Sequence, residues 1–106
     1  MAPMDSKHKT NHSERPIPGV YRELRTLVTP IAEDVAFRWS QRGILHLLVE
    51  LSNKTIYSLC YFRAYHYWKA FYPYGDGQEQ QVQVLNTEEE ILVFLKQEAR
   101  KETKSE

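Results

Sequence analysis

ILHLLVELSNKTIYSLCYFRAYHYWKAFY, residues 44–72, is the stretch whose reading decides the fold. It carries most of the chain's aromatic side chains and has neither glycine nor proline. Leu45, Leu47, Val49 and Leu51 form a wholly apolar parity class, while Ile44, His46, Leu48 and Glu50 form a mixed one. Alternation of this kind marks a strand with one face in the core. Asn53-Lys54, flanked by Ser52 and Thr55, reads as a two-residue turn, with Lys54 tolerating positive φ. Closing there sets Leu51 opposite Ile56, Val49 opposite Ser58, Leu47 opposite Cys60 and Leu45 opposite Phe62, so the predicted core face is continuous across the hairpin.

The other face of the second strand then reads Tyr57, Leu59, Tyr61, Arg63, Tyr65, Tyr67, Lys69, Phe71. A strand of that length far exceeds the usual ~5–6 residues. A bulge or bend near Ala64 is therefore expected, and a bulge reverses the parity beyond it. Tyr57, Tyr61, Arg63, Tyr65, Tyr67 and Lys69 are the candidate binding surface. Rings with a cation on either side can bury area at a protein interface while their hydroxyls stay wet. The same set can stack on bases and reach phosphates.

Working back toward the N-terminus, residues 21–28 have helical spacing, with Val20, Leu24, Leu27, Val28 and Ile31 three or four apart. Thr29-Pro30 is a helix-start signal, so a second helix or a kinked continuation is expected from residue 30. Glu33 and Asp34 suit its first turn, Arg38 and Arg42 its last, and Gly43 its end. Its buried stripe would be Ile31, Val35 and Trp39, or Ala32, Ala36 and Trp39. Residues 1–15 have no apolar period and read as a disordered, mildly basic tail carrying Lys7, His8, Lys9, His12 and Arg15.

Toward the C-terminus, Pro73-Tyr74-Gly75-Asp76-Gly77 is a turn. Residues 79–85 form an edge strand whose Val82 and Val84 face the core if the turn has an odd number of residues. Thr87 with Glu90 is a capping box, and Glu88, Glu89 and Glu90 complement the helix dipole. Ile91, Leu92, Phe94, Leu95 and Ala99 are the apolar stripe of the last helix. The expected fold is thus α+β: a three-stranded antiparallel sheet, with two N-terminal helices and one C-terminal helix on one face. The single domain spans residues 16–98, and residues 99–106 form a charged tail.

Composition narrows the function. Lysine plus arginine and aspartate plus glutamate each number 14 in this 106-residue chain, which lacks the basic excess of a strong nucleic-acid binder. One cysteine, Cys60 on the predicted core face, points to a buried inert thiol. With no apolar run of ~18 residues and a polar N-terminus, an intracellular protein, cytoplasmic or nuclear, is expected. His8 and His12 have i,i+4 spacing but lie in a tail without a preorganising helix, His46 and His66 are strand residues in a chain with one cysteine, and the glutamates are explained by capping; no metal, cofactor or catalytic group is expected. The preferred reading is a non-catalytic protein–protein interaction or regulatory module, homodimeric through the tyrosine-rich face. An RNA- or DNA-binding protein using that face and the basic arm is the rival. A small nuclease using Arg63, His66 and Lys69 is third.

Overall fold

The computed structural model describes residues 16–75 and 79–101. Helix α1 (Gly19–Val28) runs into a single 3-10 turn, Thr29–Ile31. Five strands follow, β1 (Asp34–Trp39), β2 (Leu45–Glu50), β3 (Ile56–Phe62), β4 (Tyr67–Tyr72) and β5 (Gln81–Leu85), and helix α2 (Glu88–Ala99) closes the chain order. The strands form one antiparallel meander in sequence order, and both helices lie on the same face of it. The expected three strands and three helices are therefore corrected to five strands and two helices.

Three local features account for the difference. The expected second helix is a strand, because β1 alternates Val35, Phe37 and Trp39 toward the core with Asp34, Ala36 and Arg38 away from it. Gly43, read as a helix stop, instead takes φ 83° in the β1–β2 loop. The long second strand is also two strands. Phe62 carbonyl accepts from the Tyr65 and His66 N–H groups at 3.1 and 2.9 Å, closing a tight turn over residues 63–66 that ends the strand where a bulge or bend within it was expected. That turn has no glycine or proline to announce it; His66 itself takes the left-handed conformation at φ 58°.

The third difference is register. Leu51 N–H donates to Thr55 carbonyl at 3.1 Å and Lys54 N–H to Leu51 carbonyl at 2.8 Å, so the β2–β3 loop holds three residues rather than two. Leu47 pairs with Leu59 and Val49 with Tyr57, one residue off the expected partners. A one-residue slip exchanges the faces of a strand. Tyr57, Leu59 and Tyr61 thus join Leu45, Leu47 and Val49 under the helices, while Ser58, Cys60 and Phe62 turn to the other side. β5 is displaced in the same way: Val82 pairs with Phe71 and Val84 with Lys69, so both valines leave the core face they were expected to occupy, and of this strand only Leu85 is buried.

The core is built between that face and the helices. α1 contributes Tyr21, Leu24 and Val28; α2 contributes Ile91, Phe94 and Leu95. Full burial of each such aliphatic side chain contributes about 2 kcal/mol. The Thr87 cap is present: its hydroxyl accepts from Glu90 N–H at 3.1 Å. Glu90 reaches back to the N–H of Asn86 at 2.8 Å, one residue before the cap. No described helix is long and apolar enough to cross a membrane.

Candidate functional site

The six residues expected to share one surface are divided among three places. Tyr57 is buried beneath α2, where its hydroxyl donates to Glu98 Oε1 at 2.9 Å and its ring meets Phe94 edge-on at 5.9 Å. Burial is the main reason its phenol is pushed above the ordinary range. Tyr61 is half-buried on the helix-covered face, with its ring 5.0 Å from Trp68. Arg63 and Tyr65 stand exposed in the β3–β4 turn. Tyr67 and Lys69 lie on the uncovered face of β4, opposite in parity to Trp68 and Ala70.

What the structure does assemble is a smaller aromatic–cation group at one end of the uncovered face. Tyr65 stacks on Tyr67 with centroids 5.5 Å apart and planes 14° from parallel. Phe62 lies 5.9 Å from Tyr67, and the Lys69 ammonium is 5.0 Å from the Phe62 centroid and 5.9 Å from that of Tyr67. The trio Arg63, His66 and Lys69 is not brought together: Arg63 and His66 line a hollow of about 480 Å³ beside Pro18, Val20 and Tyr61 on the helix-covered side. Lys69 is on the opposite side of the sheet.

The uncovered face as a whole is the larger candidate, and the register shows its layout. One row across the sheet is Ala36, Leu48, Ser58, Phe71, Val82. The next is Arg38, His46, Cys60, Lys69, Val84. No described helix or strand lies over it. Of the large apolar residues exposed in the described chain, Ile44, Val82 and Val84 belong to this face, at 50%, 53% and 43% exposure. Arg38 and Lys69 are balanced by Asp34 and Glu50, which pair at the far end of β1 and β2.

A small polar cluster sits at its centre. His46 Nδ1 lies 2.8 Å from Ser58 Oγ and 3.1 Å from Cys60 Sγ. Burial lowers the His46 pKa, with the nearby Arg38 charge adding to it. Burial also pushes the Cys60 thiol up to about 11, against a hydrogen bond from Ser58. A neutral imidazole beside a protonated thiol is a hydrogen-bonded pair, unlike the thiolate that nucleophilic chemistry requires. Cys60 is buried, as expected, but by its neighbours on the uncovered face and not by the helices. Among the described residues no group of three or more histidine, cysteine or acidic side chains is placed to hold a metal ion. His8, His12 and the basic arm of residues 1–15 lie outside the described residues.

Sequence reasoning set Phe62 on the core face because the β2–β3 loop was taken as one residue too short, and Val82 and Val84 there because the β4–β5 turn was taken as odd; Phe71 was placed on the other face but left out of the candidate set. A signal was present all the same. In residues 44–50 the polar parity class still contains Ile44 and Leu48, more apolar character than a solvated face needs. Comparison with protein-family models, curated proteins and solved structures finds no match to the chain.

Proposed function

We infer that the protein is a non-catalytic interaction module that docks a protein partner on the uncovered face of its sheet. The observation that carries this reading is the face itself: five strands wide, with Leu48 and Phe71 flanking the central His46–Ser58–Cys60 cluster and exposed Ile44, Val82 and Val84 at its margins. Contiguous apolar surface of this kind on a small domain marks interaction sites. The partner it fits has apolar groups against Leu48, Phe71, Val82 and Val84, an acidic group opposite Arg38 and Lys69, and a basic one opposite Asp34 and Glu50.

The rival reading, single-stranded RNA or DNA on the same face, draws on the stacked Tyr65–Tyr67 pair beside Lys69. Against it stands the balance of two cations by two carboxylates on that face, where phosphate binding calls for an excess.

The test is site-specific photo-crosslinking in cells, with the reactive side chain placed at Phe71 and, as control, at exposed Leu27 on α1. Discrete protein adducts from position 71 that are absent from position 27 are expected. Adducts that disappear with ribonuclease or deoxyribonuclease treatment would favour the rival. A bare position 71 would overturn the interface. In parallel, labelled single-stranded RNA titrated at two salt concentrations against wild type and Tyr67→Ala/Lys69→Ala should show no salt-sensitive binding.

A further inference from the structure

The edge of the sheet carries a second surface, distinct from the face. β5 is the outermost strand, and no described element pairs with its outer side. Which of its backbone groups point outward follows from alternation along an antiparallel ladder. Leu51 N–H donates across to Thr55 carbonyl, so the odd-numbered residues of β2 and β3 face one another. The even-numbered residues of β3 then face Lys69 and Phe71 of β4, and Ala70 faces Gln83 of β5. Gln81, Gln83 and Leu85 are thereby bonded to β4, and the N–H and C=O groups of Val82 and Val84 point outward.

Among the described residues this edge has no charge, proline, bulge or covering element. Natural edge strands are protected by lysine, proline, bulges or a covering element. Gln81-Val-Gln-Val-Leu85 has no charge and no proline, whereas the opposite edge, β1, carries Asp34 and Arg38. The strand is also apolar on one flank and mixed on the other. Val82 and Val84 are exposed on one side. On the other, an open groove of about 600 Å³ runs between β5 and α2, where Leu85, Phe94 and the exposed Val93 alternate with Gln83, Glu90 and Gln97.

We propose that β5 pairs antiparallel with β5 of a second copy of the chain, joining the two sheets into one of ten strands. Two arguments select a second copy as the occupant. The first is self-complementarity about a two-fold axis through Gln83. Val82 then lies opposite the partner's Val84, both with outward backbone groups, so each pair exchanges two hydrogen bonds, and Gln83 meets its own counterpart at a non-bonded position. The second is charge. The same axis sets the two α2 helices antiparallel on one side of the joined sheet. Each acidic first turn, Glu88–Glu90, follows Leu85 and is thereby kept at the opposite end of the joined strands from its counterpart. A chain with no net charge puts no long-range repulsion in the way. The proposal is independent of the face reading, and the dimer would present the uncovered face twice over, side by side.

The test is sedimentation velocity of the full chain over two decades of concentration, with two variants. Wild type is expected to move from 12.6 kDa toward twice that mass. Val84→Pro removes an outward N–H without touching the β4 ladder, a substitution that edge strands accept. It is expected to stay monomeric with an unchanged circular dichroism spectrum. Should Val84→Pro fold poorly, Val82→Lys/Val84→Lys, on side chains already exposed, serves in its place. Gln83→Cys is expected to form a disulfide-linked dimer on mild oxidation, since facing non-bonded positions lie within disulfide reach; wild type, with buried Cys60, is the control. Wild type that stays monomeric overturns the proposal, including the case in which residues 1–15 occupy the edge. So does a dimer that ignores Val84→Pro, gives no Gln83→Cys cross-link and is broken by Phe71→Glu; that outcome would assign self-association to the face.

Discussion

Tyr21 shows how one side chain can stand in for part of a sheet. The register of β2 with β3 is regular only as far as Leu47 and Leu59. Beyond that point the Tyr21 hydroxyl donates to Leu45 carbonyl at 3.0 Å and accepts from Tyr61 N–H at 2.8 Å, bridging two strands that have parted. Tyr21→Phe leaves that buried carbonyl and amide without a partner, and the expected cost is about 3 kcal/mol in urea unfolding. The phenol also has a pH signature. Burial raises its pKa from 10.0 to about 12. Because the folded value is the higher one, its contribution is complete below pH 10 and is lost as pH rises toward 12. Wild type should therefore lose more stability between pH 8 and pH 11 than Tyr21→Phe does, the remainder in the variant coming from Cys60, Tyr57 and Tyr72, which burial raises likewise. Equal losses in the two proteins would rule out the bridging hydroxyl as the titrating group. None of this was legible in the sequence: Tyr21 begins a helical stretch, and nothing local says that its hydroxyl reaches a strand 24 residues away.

Elements were read well where their signals are local and poorly where two periods coincide. Thr87 and Glu90 announced α2 because a cap is made by neighbours in sequence. Residues 31, 35 and 39 misled because a spacing of four satisfies both the helical repeat and the strand alternation. Phe37, two positions from Val35 and Trp39, was the discriminating residue, since it falls on the opposite side of a helix but the same side of a strand. The two hairpin loops beside β2 share one geometry. Gly43 and Lys54 occupy the same position, at φ 83° and 70°, and each donates its N–H to the residue three before it, Ser40 at 2.9 Å and Leu51 at 2.8 Å. Only Lys54 bears the strain of a side chain there. Lys54→Gly is expected to stabilise the protein by about 0.5–1 kcal/mol, relief of that strain exceeding the entropy cost of glycine. A loss of stability in urea titration would show that Lys54 does not hold the left-handed conformation in solution.

At the scale of the whole molecule the sheet has two unequal faces, and adjacent residues of one strand report on them. Leu47 is fully buried between β2 and the helices, whereas its neighbour Leu48 is half-buried on the uncovered face. Leu47→Ala should cost about 3 kcal/mol, and Leu48→Ala about 1 kcal/mol or less, in urea unfolding. Comparable losses would mean that something covers the open face. The sequence by itself determined the class of the protein, a small α+β domain with an antiparallel sheet. It also determined the positions of α1 and α2 and the apolar parity of residues 45–51, because those depend on periods and caps spanning only a few residues. Tertiary structure alone decided the number of strands, which tyrosines are covered, and that Val82 and Val84 stand on the surface. The reason is the same in each case: every strand-to-strand turn converts a miscount of one residue into an exchange of faces, and loop length is set by how the closed sheet packs against its helices.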